Sequence, residues 1–147
     1  MKESITHWKS KEDKNTYGRI INISSVHGVI GSINKSAYVA AKHGLIGLTK
    51  VVALENAESN ITCNSICPGW VHTTLVQNQI ELLSKEKGIS EEEAKILLVS
   101  AKQPSKRFTT CEQIGEMVAF LCSNACSNLS GTEQIMVRMN QKEIFLI

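Results

Sequence analysis

The pattern that most restricts the fold is a pair of apolar, strand-like segments separated by one long helix-like segment. The isoleucine-rich residues 17–25 predict a strand buried on both faces, as in a parallel sheet. Ser36 can cap a helix that runs to about Ala57, and residues 61–67 predict a second strand that ends at Pro68. Strand, long helix and strand form a parallel βαβ unit. The sequence therefore predicts an α/β fold built on a parallel sheet.

The predicted helix and the loop before it are rich in small residues. The loop, residues 26–35, contains Gly28, Gly31 and Asn34, which predict an irregular segment able to form a site. One broad apolar face of the helix is expected to contain Ala37, Ala40, Ala41, Gly44, Leu45, Leu48, Val52 and Leu54. The small residues among these would let a flat ring approach the helix near Tyr38.

The second half of the chain predicts helices and one short strand. Ser90 with Glu93, and Thr110 with Gln113, are capping-box pairs that mark helix starts. The predicted helices cover residues 75–85, 91–102 and 111–122, and the strand covers 134–137. Residues 74–108 fall outside the sheet pattern, which is typical of an insertion that closes over a ligand. We expect one domain, residues 1–147, with an atypical tail over 133–147.

Composition and charge exclude several classes of function. A chain of 147 residues can bury one core. Its net charge of +2, without a basic stripe interleaved with aromatic residues, argues against nucleic-acid binding. The first residues contain no apolar signal segment, and the longest apolar runs are too short to span a membrane. We expect a soluble, cytoplasmic protein that does not bind a membrane.

The five cysteines do not form a metal-binding pattern. No C-x-x-C pair occurs, and no cluster of histidine or aspartate completes a site around them. We therefore predict no metal, and we interpret Cys63, Cys67, Cys111, Cys122 and Cys126 as reduced and mostly buried thiols.

Three polar residues are expected to converge at one point. Tyr38 and Lys42 lie four residues apart, so they share one face of the predicted helix, and Ser25 can reach them if the loop folds back. A tyrosine that transfers protons near neutral pH needs its pKa lowered by about 3 units from ~10, and a nearby ammonium typically supplies about 1–3 of these. The trio predicts proton transfer at an alcohol or carbonyl oxygen, although Y-x-x-x-K by itself is common on helices by chance.

Four stretches of the chain are together similar to one enzyme family. They read GRIINISSVHG, NKSAYVAAKHGLIGLTK, ITCNSICPGWVHTTLV and KQPSKRFTTCEQIGEMVAFL, and they cover about residues 17–132. On these motifs the chain resembles the short-chain dehydrogenase/reductase family and, within it, the 3-hydroxybutyrate dehydrogenases. The resemblance implies the C-terminal half of a Rossmann-type, doubly wound parallel sheet with a helical substrate lid, and NAD as the cofactor.

The resemblance also implies roles for particular residues. Ser25 would polarise the substrate oxygen, Tyr38 would be the general acid/base, and Lys42 would bind the nicotinamide ribose. The cofactor-binding residues would be Tyr38, Lys42, Pro68, Gly69, Val71 and Thr73. The substrate-binding residues would be Ser25, His27, Lys35, Trp70 and Gln79. Taken singly, His27, Lys35 and Gln79 also fit ordinary loop or surface roles, and only their joint occurrence favours a substrate carboxylate.

The chain departs from the family pattern at both ends. No glycine-rich turn of the kind that holds a pyrophosphate precedes Tyr17, so the adenine half of the NAD site is expected to be missing. After Gly131 and Thr132, the family's aspartate and paired glycines are replaced by EQIMVRMNQKEIFLI. These departures predict a truncated product with weak affinity for NAD.

Two functions from different classes are therefore expected. The first is NAD-dependent interconversion of 3-hydroxybutyrate and acetoacetate, with a homo-oligomer or a separately encoded N-terminal half completing the site. The second is a non-catalytic remnant that retains the site residues without using them. A weaker third alternative is a 3-oxoacyl reductase, but a carrier-bound thioester has no carboxylate for His27, Lys35 and Gln79 to bind.

Overall fold

The structure is a computed structural model that describes residues 1–11, 17–100 and 103–137. Short 3-10 helices cover Val26–Gly28 and Asn124–Cys126. The predicted elements from residue 17 onward are present, with small shifts at their ends, whereas the predicted tail from residue 139 lies outside the described residues. The helices are α1 (Lys2–Lys9), α2 (Ser36–Glu55), α3 (Thr74–Lys87), α4 (Glu91–Ser100) and α5 (Cys111–Cys122), and the strands are β1 (Gly18–Ile23), β2 (Ile61–Pro68) and β3 (Glu133–Met136).

The described strands form one parallel sheet in the order β1-β2-β3. Gly18 pairs with Ile61 at the start of β1, and Ser65 pairs with Glu133 where β3 begins. Because β1, α2 and β2 follow one another along the chain, they form the predicted βαβ unit. The α/β class and the partial doubly wound parallel sheet are confirmed.

The burial of β1 differs from the prediction. All eight residues of β2 are buried, as expected for a central strand. In β1 only Gly18 is buried, and Ile23 is 46% exposed, so the prediction of a strand buried on both faces is wrong for β1. The physical reason is position in the sheet, since no other described strand pairs with the far side of β1.

Helices cover both faces of the sheet. Side chains alternate between the faces along each strand, so neighbouring residues belong to different clusters. Cys63 packs with Val52 and Ala53 of α2, while Ile66 packs with Leu121 of α5 on the opposite face. This two-sided packing is the doubly wound arrangement that the resemblance implied.

The burial of α2 was predicted only in part. Its buried residues are Ile46, Thr49, Val52 and Ala53, whereas Leu48 and Leu54 are exposed. Most of the predicted apolar face is therefore exposed in the part of the chain that the structure describes. The buried side of the helix is a stripe of residues next to that face. The cap prediction is also wrong, because Ser36 is the first helical residue and Lys35 holds the N-cap position without a side-chain bond.

By length and composition, α2 could also cross a membrane, although the sequence analysis found no such segment. It is the only helix of this kind in the described ranges. The buried residues of α2 lie against the sheet, and the Thr49 hydroxyl accepts a hydrogen bond of 2.9 Å from Asn22 of β1. Because a crossover helix of a βαβ unit has the same length and composition, we interpret α2 as that element.

Helices α3 and α4 form a pair outside the sheet. They pack around Val76, Ile80 and Ala94. Both predicted capping boxes are present: Ser90 exchanges hydrogen bonds with Glu93 at the start of α4, and Thr110 does so with Gln113 at the start of α5. Two helices outside the sheet therefore occupy residues 74–100 of the predicted insertion, and its bounds and its function as a lid stay predictions.

We predict that Leu121→Ala destabilises the fold. Leu121 is fully buried against Ile66, so truncation removes apolar contacts and leaves a cavity. The free energy of unfolding should fall by about 2–5 kcal/mol in urea titrations followed by circular dichroism. The control is Leu82→Ala on α3, where the leucine is 59% exposed and a change within about 0.5 kcal/mol is expected. Equal losses in the two variants would contradict this account of the core.

Candidate active site

The loop after β1 folds back onto α2 through a close approach at Gly28. A Cβ atom at position 28 would lie 2.6 Å from Ser24 Oγ and 2.9 Å from the Lys42 carbonyl oxygen, so only glycine fits without movement. The Ser24 hydroxyl donates a 3.1 Å hydrogen bond to the same Lys42 carbonyl. These contacts bring Ser25 to the N-terminal part of α2, as expected if the loop folds back toward Tyr38 and Lys42.

Most of the predicted site residues line a single cleft of about 580 Å³ at the carboxyl end of the sheet. Lys42 and Pro68 are the predicted residues outside its lining. Pro68 is instead the buried last residue of β2. The predicted residues that the structure brings together are Ser25, His27, Lys35, Tyr38, Gly69, Trp70, Val71, Thr73 and Gln79.

Ser25, His27 and Tyr38 form the polar side of the cleft. The Ser25 hydroxyl accepts a 3.2 Å hydrogen bond from the His27 backbone N–H, so its own O–H remains available to donate. The His27 and Tyr38 rings meet edge to face with centroids 6.2 Å apart. Ser25 is buried and Tyr38 is 45% exposed, so the phenol faces solvent in the cleft while the serine lies at its base.

Lys42 lies beside Tyr38 but does not line the cleft. Its Nζ is 5.7 Å from the centre of the Tyr38 ring and donates a 3.0 Å hydrogen bond to the Ile23 carbonyl at the end of β1. The ammonium charge is therefore held near the phenol by the backbone. At this distance the ammonium lies within cation–π range of the Tyr38 ring.

The opposite wall of the cleft is the chain that leaves β2. Val71 forms an isolated parallel bridge with Thr109, and the Trp70 ring packs edge to face on Phe108 at 6.0 Å. Thr73 is the N-cap of α3, and its hydroxyl accepts the Val76 N–H. Trp70 and the chain beside it, called the Trp70 wall below, therefore pack against the segment that follows α4.

A family model described as enoyl-(acyl carrier protein) reductase matches residues 4–137. The chain belongs to the short-chain dehydrogenase/reductase family. Its members are oxidoreductases, and the family and its structural neighbours indicate a nicotinamide nucleotide cofactor.

Two relatives are similar over most of this chain. The D-beta-hydroxybutyrate dehydrogenase of Cupriavidus necator is 52% identical over 115 residues, which are 78% of this chain and 45% of that protein. The enzyme of the same name from Rhizobium meliloti is 49% identical, over 84% of this chain and 48% of the relative. The chain therefore spans less than half the length of these two relatives.

Solved structures of the family show the same fold. An actinorhodin polyketide ketoreductase with NADPH is 34% identical and aligns with a TM-score of 0.71, over 83% of this chain and 46% of that one. A 4-hydroxyisoleucine dehydrogenase complexed with NADH is 28% identical with a TM-score of 0.77, over 93% of this chain and 51% of that one.

Sequence reasoning missed part of the cleft lining. Gln103 and Val137 contribute to it, along with apolar side chains of the loop and of α3. Gln103 lies in the stretch KQPSKRF, which is part of the family resemblance, but no residue of this stretch was predicted to belong to the site. The buried amide of Gln103 contacts the chain after β2, and this contact cannot be read from spacing.

The cysteines are all free, and most are shielded. Cys63, Cys67 and Cys126 are buried, Cys122 is half-buried, and Cys111 is exposed, so the interpretation of mostly buried thiols holds for the majority. Burial raises the pKa of the Cys67 thiol, although hydrogen bonds from Ser65, Ser24 and Ser25 act in the opposite direction. Burial likewise raises the pKa of Cys63. Within residues 1–11, 17–100 and 103–137, no group of three or more metal-ligating side chains occurs.

We predict that iodoacetamide modifies Cys111 well before Cys63 and Cys67. A raised pKa keeps a thiol protonated to higher pH, and the thiolate is the nucleophile, so the two buried thiols react slowly near neutral pH. Peptide mass spectrometry over a time course measures the order, and unfolding in urea should make the rates converge. Faster labelling of Cys67 than of Cys111 in the folded protein would contradict this assignment.

Proposed function

We propose that the chain carries the substrate-oxidising half of an enzyme that interconverts 3-hydroxybutyrate and acetoacetate with NAD. The observation that carries the proposal is the group of polar side chains gathered at one side of a largely apolar cleft. Ser25 and Tyr38 present hydroxyl groups to it, and Lys35 and His27 add a cation and an imidazole. A short hydroxy acid carries an alcohol and a carboxylate, so it can satisfy both sets of groups at once. The names of the two relatives support the same substrate class.

The chemistry follows from the residues at the polar side. The Ser25 O–H can hold the substrate oxygen, and the Tyr38 oxygen can accept the proton that the alcohol loses on oxidation. The Lys42 ammonium stabilises negative charge on Tyr38 during that transfer. A bound nicotinamide supplies the acceptor for the hydride that leaves the carbinol carbon. In the direction of reduction, Tyr38 returns the proton to the carbonyl oxygen.

The donors in the cleft suit the nicotinamide half of the cofactor. Its polar residues Ser25, Tyr38 and Thr73 can bond to an amide and a ribose, and the apolar Val71 and Val137 can cover a flat ring. The described residues contain no glycine-rich turn before β1 for a pyrophosphate. We propose that affinity for NAD is weak in this chain alone.

We propose that a strand of another polypeptide, such as a second copy of this chain, pairs with the open edge of β1 and extends the sheet that carries the nucleotide site. The open edge of β1 supports this. The N–H groups of Gly18 and Ser24 bond to the β2 side, so the backbone groups of Arg19 and Ile21 point to the open edge. No other described strand pairs with that edge, and exposed edge groups are a template for strand addition.

A carboxylate-binding cleft distinguishes this proposal from a 3-oxoacyl reductase. Lys35, His27 and Gln79 line the cleft together. A carrier-bound thioester would leave a cationic group without its anion, whereas a hydroxy acid pairs with it. We also propose a cytoplasmic location, since free thiols at Cys63, Cys67 and Cys126 suit a reducing compartment.

We predict that Tyr38→Phe abolishes turnover of D-3-hydroxybutyrate. Removing the phenol oxygen removes the proton acceptor, so NADH formation should fall by about 10²–10⁴-fold. Absorbance of NADH measures the rate, with NADP assayed in parallel. The matched control is Tyr17→Phe, which changes an exposed tyrosine outside the cleft and should leave the rate unchanged. Equal rates for the two variants would overturn the role of Tyr38 as general acid/base. Absence of turnover in the unsubstituted chain would support the alternative that the chain is a non-catalytic remnant.

We predict that Lys35→Met weakens binding of D-3-hydroxybutyrate but not of its neutral methyl ester. Lys35 is exposed, so loss of its charge should raise the Kd of the acid by about five-fold. Fluorescence of Trp70 in a Trp8→Phe background reports binding, because these are the two tryptophans of the chain. The control Lys50→Met removes an exposed lysine that pairs with Glu133 away from the cleft. A loss of the same size for the ester would contradict recognition of a carboxylate.

A further inference from the structure

Gln103 is a buried amide between the cleft and the segment after α4. Its side chain is 3% exposed, although an uncharged polar side chain of this size is usually found at the surface. It lines the same cleft as Ser25, Tyr38 and Trp70. Burial of an amide is costly unless its donors and acceptor find partners. The partners of Gln103 therefore indicate what the residue does.

Those partners join two separate parts of the chain. The Gln103 Oε1 accepts the backbone N–H of Trp70 at 3.3 Å, and the Nε2 donates to the Ser105 hydroxyl at 3.3 Å and to the Arg107 carbonyl. The amide thus connects the start of the Trp70 wall to the turn that carries Phe108. It uses its acceptor on one side and its donors on the other.

The contact with the chain after β2 is close. A Cβ atom at Gly69 would lie 2.9 Å from Gln103 Oε1 and 2.6 Å from Val137 Cγ2. The glycine therefore allows the amide to approach the backbone between Pro68 and Trp70. On the far side of Trp70, its carbonyl accepts the Thr109 N–H at 2.8 Å. Trp70 is held at both of its backbone polar groups.

We propose that Gln103 is a positioning residue that fixes the Trp70 wall of the substrate cleft. Its Oε1 acceptor sets the position of the Trp70 backbone, and the indole then packs on Phe108 in one orientation. The part of this inference that concerns substrate rests on the proposed function. The part that concerns Trp70 depends only on the contacts described above.

Two substitutions separate the hydrogen bond from the volume of the side chain. Gln103→Met keeps a similar length but removes the acceptor, which leaves the Trp70 N–H without its partner. Gln103→Glu keeps an acceptor for that N–H and loses the donation to Arg107. A role in filling space predicts similar behaviour for both variants, whereas a positioning role predicts different behaviour.

Trp70 fluorescence in the Trp8→Phe background provides the test. Gln103→Met should raise the acrylamide quenching constant of Trp70 and the Kd for D-3-hydroxybutyrate by about five-fold each, and Gln103→Glu should restore most of the quenching protection. The matched control is Asn64→Leu, which removes another fully buried amide. Asn64 bonds to Leu129 and Thr132 outside the cleft, so its loss should destabilise the fold without changing Trp70.

The outcomes distinguish the two proposals. Equal quenching in the Met and Glu variants, or the same change in Asn64→Leu, would overturn the positioning role of Gln103. If Gln103→Glu does not fold, the comparison of Gln103→Met with Asn64→Leu still decides it. If D-3-hydroxybutyrate has no effect on the parent fluorescence, the proposed substrate fails, while acrylamide quenching still tests the role of Gln103.

Discussion

The central position of β2 is the constraint on which the rest of the structure depends. Both edges of this strand are paired and both faces are covered, so its eight residues are all buried. Its two neighbours run parallel to it, and their carboxyl ends therefore meet at one side of the sheet. The cleft lies at that side because Ser25 follows β1 and Trp70 follows β2. Such an edge is where open α/β sheets bind their ligands.

Two glycines convert this topology into a site. Gly28 lets the loop after β1 lie against α2, and Gly69 lets the chain after β2 lie against Gln103. A Cβ atom at position 28 would meet the Lys42 carbonyl, and one at position 69 would push against the side chains of Gln103 and Val137, so a side chain at either position would shift a wall of the cleft. The polar side chains between the walls add chemistry to a geometry that these close approaches determine.

The sequence predicted the order of elements well because each has a local signal. The isoleucine-rich run, the two capping boxes and Pro68 gave bounds close to those observed. Burial was harder to predict, since it depends on neighbours in space. Strand β1 is half-exposed at an edge, and of the predicted apolar face of α2 only Val52 is buried, beside Ile46, Thr49 and Ala53. Motif spacing predicted that Ser25 and Tyr38 lie close together, and both line one cleft, while their catalytic roles stay predictions. The same reasoning missed Gln103, whose contact with Trp70 joins segments 33 residues apart.

The hydrogen bond from Lys42 to the Ile23 carbonyl has a consequence for assembly. Backbone groups of alternate residues point to the same edge of a strand, so the Ile23 carbonyl points to the open edge of β1, like those of Arg19 and Ile21. This carbonyl already accepts a hydrogen bond from the Lys42 ammonium. A strand that docks on this edge can use the groups of Arg19 and Ile21 but must stop short of Ile23 or displace the lysine. Charged side chains at sheet edges commonly limit strand addition in this way. The lysine beside the phenol therefore also sets how far a neighbouring strand can extend.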